Sequence, residues 1–219
     1  MKENRLKLIL LSLFAIAMAY LEAVVVIYLR ELYYPARICE IFPLKIFTKF
    51  DYVIELGREF STILMLAFVA FMVERLWLRR FFCFLYIFGM WDMFYYFWLW
   101  VTISWPKTFL DWDILFLIPL PWIAPWITPF IIALVFAIFG GYVIYQGFTP
   151  KLDPKSLAFI LLGALIDFYT FIEQSLSLLL KSGKAGFYNF TPHGFLWWLY
   201  LTGLILMIMG FIRVLRTKK

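Results

Sequence analysis

Six long apolar stretches constrain the fold of this chain more than any other feature. They cover residues 8–29, 52–73, 81–104, 122–145, 157–180 and 195–212. An α-helix needs about 20 such residues to cross a hydrocarbon core of about 30 Å. With 65% hydrophobic residues and a mean hydropathy of +0.89, little chain is left for a soluble domain. The sequence therefore predicts an all-α, six-helix transmembrane bundle that forms one integral membrane domain over residues 1–219.

The basic residues predict how the bundle is oriented, because Lys and Arg are retained on the cytoplasmic side of a membrane. If the N-terminus is cytoplasmic, twelve of the 20 basic residues lie in cytoplasmic segments, seven in outer segments, and Arg58 within a span. We therefore expect an inner-membrane protein with both termini in the cytoplasm. The net charge of +6 then reflects topology and contact with anionic lipid headgroups, so nucleic acid is not an expected partner.

The first apolar stretch has two features of a cleaved secretory signal. Basic residues precede it, and Ala17-Met18-Ala19 resembles a cleavage site. The stretch nevertheless continues through Val24 to Ile27, which gives it the length of a transmembrane helix. We expect a retained span, while cleavage within residues 1–19 stays open at the level of sequence.

The chain before the fourth span is interrupted by prolines. The four prolines between residues 119 and 129 cannot all lie in one regular helix, because each removes a backbone donor and clashes with the preceding turn. Thr108 and Asp111 have the spacing of a capping box that opens a short helix. We interpret residues 109–121 as a short interfacial or re-entrant element. Irregular backbone at membrane depth must be buried in protein or line a wet cavity, so we expect a cavity in the outer half.

Ionisable side chains also lie within the predicted spans, where a bare charge is costly. Glu55, Arg58 and Glu59 share one face of the second span by helical spacing, and the fifth span carries a second polar face. The candidate proton- or cation-binding residues are Glu22, Glu55, Glu59, Asp92, Asp167 and Glu173, with Arg58 as charge partner and Tyr96, Asp111, Asp113, Thr170 and Gln174 as supporting polar groups.

Three functions are compatible with this excess of acids. The first is a small transporter or ion-coupled protein that binds protons or a simple cation, since broken helices with polar sites are typical of transporters. The second is an intramembrane carboxylate-metal enzyme acting on a lipid or other apolar substrate. The third is a structural or assembly subunit, in which Glu22 and Arg58 form only an ion pair between helices. Because acids outnumber the one base inside the spans, we favour proton or cation binding.

The residue types limit the cofactors. Oxygen-rich sites suit a hard divalent cation, and the candidate metal ligands are Glu22, Glu55, Glu59, Glu173 and His193. Thr191-Pro192 predicts the start of the sixth helix, which would place His193 in its first turn. A single histidine excludes bis-histidine haem ligation, and no nucleotide-binding motif is present. Besides membrane lipids, a second copy of the chain or a partner membrane subunit is compatible with the sequence.

Part of the chain resembles known sequences. Trp91-Asp-Met-Phe-Tyr-Tyr96, Trp105-Pro106 and the run from Asp111 to Trp122 resemble a pattern in an uncharacterised family of bacterial polytopic membrane proteins, over roughly residues 20–130. No activity is attached to that family. The resemblance implies only that the region with Glu22, Glu55, Asp92 and Asp113 is one unit.

Overall fold

Six long helices dominate the structure, a computed structural model that describes residues 2–45 and 48–216. They are α1 (Lys2–Tyr33), α2 (Lys49–Val73), α3 (Trp77–Ile103), α4 (Ile127–Gln146), α5 (Pro154–Ser182) and α6 (Trp197–Arg216). All six are long and apolar enough to cross a membrane, so the prediction of an all-α, six-span bundle is confirmed. Lys218 and Lys219, which contribute to the basic asymmetry, lie outside the described residues.

Contacts between helix ends define two faces of the bundle. At one face, the start of α1 meets the end of α4, because the side chain of Asn4 donates to the carbonyl of Tyr145. Arg213 near the end of α6 pairs with Asp153, which precedes α5. Both ends of the described chain lie at this face, which we call the proximal face. The opposite face, where α1, α3 and α5 end, is the distal face.

Glycines allow neighbouring helices to approach at the level of the backbone. A Cβ added at Gly89 or Gly140 would lie within 3.0 Å of backbone atoms across the α3–α4 contact. Gly163 and Gly203 have the same role between α5 and α6. Small residues at helix interfaces are typical of membrane bundles, where close packing rather than escape from water drives association.

The proline-rich stretch forms a β-hairpin in place of the expected short helix. β1 (Trp112–Ile114) pairs antiparallel with β2 (Ile123–Pro125). Asp111 does accept hydrogen bonds from the N–H and the hydroxyl of Thr108. These bonds close a turn before β1, however, since the chain continues as a strand. The fourth helix consequently begins at Ile127 instead of residue 122.

The tip of this hairpin, residues 115–122, enters the bundle. Phe116 packs on Phe88 of α3, and Trp122 packs on Phe168 of α5, and both partners lie near the middle of their helices. Ser175 of α5 donates a hydrogen bond to a backbone carbonyl of the tip. The stretch predicted to be interfacial or re-entrant therefore inserts between the helices, with extended backbone on either side of its tip.

The prediction that His193 lies in the first turn of the sixth helix is wrong. The helix begins only at Trp197. Gly194 has a left-handed backbone with φ of +51°, whereas a right-handed helix needs φ near −63°, so the helix cannot extend back through it. The N–H of His193 instead donates to the side-chain oxygen of Gln174 on α5.

Glu74 connects the ends of α1, α2 and α3 at the proximal face. It follows the last residue of α2, is buried, and accepts hydrogen bonds from Lys7 at 3.0 Å and from Arg79 at 2.7 and 2.9 Å. Burial by itself raises the pKa of Glu74, but the hydrogen bonds from Arg79 and Lys7 outweigh it and hold the pKa below its ordinary value of 4.5. The folded state therefore favours the ionised carboxylate.

We expect Glu74→Gln to lower the stability of the detergent-solubilised protein at pH 7 by on the order of 2 kcal/mol, because charged hydrogen bonds are lost. A carboxyl with a depressed folded pKa stabilises the protein above its unfolded pKa, and the contribution is lost as the pH falls through the folded value. The difference in unfolding temperature between wild type and Glu74→Gln should thus shrink as the pH falls from neutral to below 4.5. Glu40→Gln, at an exposed position, is the control. A difference that does not change with pH would contradict this role for Glu74.

Candidate functional site

Arg58 is bound by two carboxylates in the distal half of the bundle. Its guanidinium lies 2.8 Å from Glu55, one turn earlier on α2, and it also pairs with Glu22 of α1. Thr62 donates a hydrogen bond to Glu22 at 3.2 Å. The helical spacing of α2 places Glu55, Arg58 and Thr62 on the side that faces α1. Arg58 therefore contacts two of the candidate acids, Glu22 and Glu55.

A second arginine, Arg30, is buried nearby. Arg30 lies in the last turn of α1, which continues beyond the predicted end of the first span to Tyr33, and it is only 4% exposed. Its guanidinium lies 3.2 Å from Asp113 of β1 and 4.0 Å from the ring centroid of Trp105. The apolar stretch of the sequence stops before Arg30, whereas an ion pair and an aromatic ring in the folded protein compensate for its burial.

Glu59 is held by the backbone of the hairpin tip. The residue is 5% exposed, and its two carboxylate oxygens lie 3.1 and 3.0 Å from the donating N–H nitrogen of Leu117. No Lys, Arg or His nitrogen of the described residues forms an ion pair with it. Tyr52, two turns earlier on α2, donates to the carbonyl of the same Leu117 at 3.1 Å. Two side chains of α2 therefore satisfy both backbone polar groups of one hairpin residue.

These groups surround a cavity of about 100 Å³ near the distal face, which we call the charged cavity. Its polar lining comprises Arg30, Tyr33, Tyr34, Lys45, Glu55, Arg58, Glu59, Tyr95 and Asp113. At about 30 Å³ per molecule, this volume corresponds to roughly three waters. A cavity beside the irregular segment agrees with the rule that non-helical backbone at membrane depth lines wet or protein-filled space.

The lining of the charged cavity is balanced in formal charge, since Glu55, Glu59 and Asp113 are matched by Arg30, Lys45 and Arg58. Glu22 pairs with Arg58 from outside the lining.

One donor and one acceptor of the Arg30–Asp113 pair also remain unsatisfied. Nη1 of Arg30 and Oδ2 of Asp113 are buried without a hydrogen-bond partner in residues 2–45 and 48–216.

The second polar face, on α5, does not reach the charged cavity. Asp167 packs against Gly203 of α6, and neither of its carboxylate oxygens has a hydrogen-bond partner within the described part of the chain. Thr170 donates to the carbonyl of Asp167, and Gln174 binds the segment before α6. Glu173 is half-buried and is not part of the cavity lining. This face therefore packs α5 against α6 and the segment before it.

Two further candidates also lie away from the charged cavity. Asp92 is buried on α3 but is not among the lining residues. Asp111 serves the turn before β1, where it accepts hydrogen bonds from Lys107 and Thr108.

The candidate metal ligands do not form a cluster. Where the structure describes the chain, no group of three or more His, Cys, Asp or Glu side chains is arranged to hold a metal ion. His193 and Glu173 do not line the charged cavity, and Arg58 binds Glu22 and Glu55.

Several members of the site are absent from the residues proposed from the sequence, among them Arg30, Tyr95 and the backbone of Leu117. Arg30 follows an apolar run directly, and the Arg-Glu pair of residues 30–31 reads as the end of a span. Tyr95 precedes the predicted Tyr96, and only the packing of α3 decides that Tyr95 faces the charged cavity. The N–H of Leu117 carries no signal in the sequence at all.

Comparison with known proteins adds no assignment: no family model matches the chain, and no curated protein or solved structure gave a significant match.

We expect Arg58→Leu to destabilise the protein, because Glu22 and Glu55 lose their partner. The cost should lie near the lower end of the about 3–5 kcal/mol typical of broken buried pairs, since a fifth of the Arg58 side chain is exposed. Adding Glu22→Leu should partly restore stability by removing one uncompensated acid. Thermal unfolding in detergent of the single and double variants measures both effects. Arg37→Leu, which removes an exposed pair with Glu40, is the control. A double variant that melts no higher than Arg58→Leu would contradict the pairing.

Proposed function

We propose that this multi-pass membrane protein is a small proton-coupled transporter, and that Glu59 is the group that takes up the proton. The observation that carries the proposal is the position of Glu59. A buried carboxylate that forms no ion pair with the described residues lies in the wall of a cavity of about 100 Å³ and binds the tip of the hairpin. Acids inside the membrane are costly and mark proton and ion pathways.

Protons suit the charged cavity better than a simple metal cation. Arg30 and Arg58 line the same cavity, and their positive charges repel any metal cation that enters it. Glu22, Glu55 and Asp113 are already paired with these arginines. A proton needs only one oxygen and no coordination shell, so Glu59 alone can accept it.

Uptake of a proton changes how α2 holds the hairpin. When Glu59 is ionised, the N–H of Leu117 donates a charge-assisted hydrogen bond to it, and such bonds are about twice as strong as neutral ones. Protonation of Glu59 weakens this bond, while Tyr52 still holds the carbonyl of Leu117. The hairpin tip can then shift relative to α2 without losing its anchor. Broken segments at membrane depth are typical sites of coupling in transporters.

A structural or assembly subunit is the second candidate. The observation in its favour is that the ion pairs of Arg58 and Arg30 join α1 to α2 and to the hairpin. It differs from the first in one respect, since a structural role needs no exchange of protons at Glu59.

We expect acidification to produce an infrared carboxyl band from Glu59 in the wild type, and Glu59→Gln to lack it. Glutamine keeps an acceptor for the N–H of Leu117 but cannot be protonated, so the fold should persist, as unfolding temperature will show. Glu40→Gln is the matched control, at an exposed position. In liposomes with an internal pH dye, a sodium or potassium gradient tests whether an alkali cation is the coupled solute. Identical carboxyl bands in wild type and Glu59→Gln would contradict the proposal and favour the structural role.

We also propose that the distal face lies outside the cytoplasm, as the distribution of basic residues predicts. We expect a reporter that is active only in the cytoplasm to work when fused after Lys219, because basic residues predominate at that face. A reporter that is active only outside should work when inserted within residues 183–187, which follow α5 at the distal face. An externally active fusion after Lys219 would refute this orientation.

A further inference from the structure

A second and larger cavity, of about 530 Å³, opens on the side of the bundle between α3 and α4. We call it the lateral groove. Its aromatic walls include Tyr96, Phe97 and Trp100 of α3, Phe109 of the following loop, and Trp126 and Phe130 at the start of α4. Phe97, Trp100 and Phe109 are 43%, 59% and 72% exposed, so the groove opens where the bundle would meet lipid.

The groove is a built feature and not a loose gap between helices. The loop at residues 105–109 folds back over its distal end. The indole N–H of Trp126 donates to the carbonyl of Thr108 at 2.8 Å, and Phe109 stacks on Trp126 with ring centroids 6.3 Å apart. The Asp111 carboxylate fixes the other side of the loop through the N–H groups of Lys107 and Thr108. The shape of the groove is therefore set before any ligand binds.

Its depth suits part of one leaflet of a bilayer. The α3 lining runs from Met93 to Trp100, a rise of about 10 Å at 1.5 Å per residue, and Pro106 to Phe109 close its distal end. Half of a hydrocarbon core is about 15 Å deep. Pockets of a few hundred Å³ with apolar and aromatic walls are typical binding sites for small apolar groups. The headgroup-proximal part of one acyl chain of the distal leaflet fits these dimensions.

A positive charge lies at the distal rim, where a lipid headgroup would be. Lys107 lines the groove, and its side chain forms no ion pair with the described residues. The nearby Asp111 does not cancel this charge by direct pairing, because its oxygens bind two backbone N–H groups and the hydroxyl of Thr108. A basic side chain at the membrane surface favours anionic headgroups by about 1 kcal/mol, or about fivefold. We propose that the lateral groove binds one acyl chain of an anionic phospholipid, with the headgroup held by Lys107.

The groove adjoins the charged cavity through an aromatic wall. Tyr96 lines the groove, and its ring centroid lies 6.2 Å from that of Trp105. The guanidinium of Arg30 packs on the other ring of this pair, 4.0 Å from the centroid of Trp105. A lipid in the groove therefore packs against the rings that support the Arg30–Asp113 pair. The lipid proposal itself does not depend on proton coupling.

Native mass spectrometry of the detergent-purified protein tests the proposal with two added lipids that share the same acyl chains. We expect dioleoylphosphatidylglycerol, which is anionic, to be retained as one molecule per chain, and dioleoylphosphatidylcholine to be retained less. Lys107→Glu should reduce retention of the anionic lipid by at least about fivefold. Lys184→Glu reverses an exposed charge at the same face outside the groove and should have no such effect. Equal retention of both lipids, with no effect of Lys107→Glu, would overturn the proposal and leave ordinary lipid contact.

A second measurement uses the wild-type protein and so does not depend on the folding of a variant. Phosphatidylglycerol with a photoreactive group in the headgroup-proximal part of one acyl chain is reconstituted with the protein, and crosslinked peptides are identified. We expect crosslinks to concentrate in residues 93–100 and 126–130, which form the deep part of the groove. Crosslinks spread evenly over the exposed apolar faces of α1 and α5 would contradict a defined site.

Discussion

Charges buried in the distal half of this bundle must be compensated within the protein, because lipid cannot solvate them. Three contacts provide most of that compensation. Arg58 joins α2 to Glu22 of α1, Arg30 joins α1 to Asp113 of the hairpin, and Glu59 of α2 accepts a hydrogen bond from the hairpin tip. Together they connect α1, α2 and the hairpin in a closed triangle. The loss of any one contact leaves a charge or a backbone group unsatisfied, which is why these elements hold one another in place.

The hairpin imposes a second requirement, since its tip has no helical hydrogen bonds of its own. Side chains from two helices supply what the backbone lacks. Tyr52 and Glu59 bind both polar groups of Leu117, and Ser175 binds the carbonyl of Pro121. One of these partners is an ionisable acid, so a bond that completes the fold can also respond to protonation. This double role links the structure of the segment to the proposed coupling.

The two cavities divide the distal half into a polar and an apolar side. The charged cavity lies among α1, α2 and the hairpin, whereas the lateral groove faces outward between α3 and α4. Tyr96 and Trp105 separate them, and both rings are almost fully buried. Because this aromatic wall is close-packed, the proposed lipid and the Arg30–Asp113 pair share a physical boundary.

Local pattern determined the six helices, the break in the fourth segment and the polar face of α2, because each depends on residues within a few turns of one another. The hairpin in place of a helix, the burial of Arg30 and the delayed start of α6 came only from tertiary structure. Arg30 and Asp113 are separated by 83 positions, and Glu59 and Leu117 by 58. A carboxylate on an otherwise apolar helix shows that a partner is required, but the local sequence does not identify that partner. The sequence therefore determined which side chains need compensation, and the packing of the helices around the hairpin decided what compensates them.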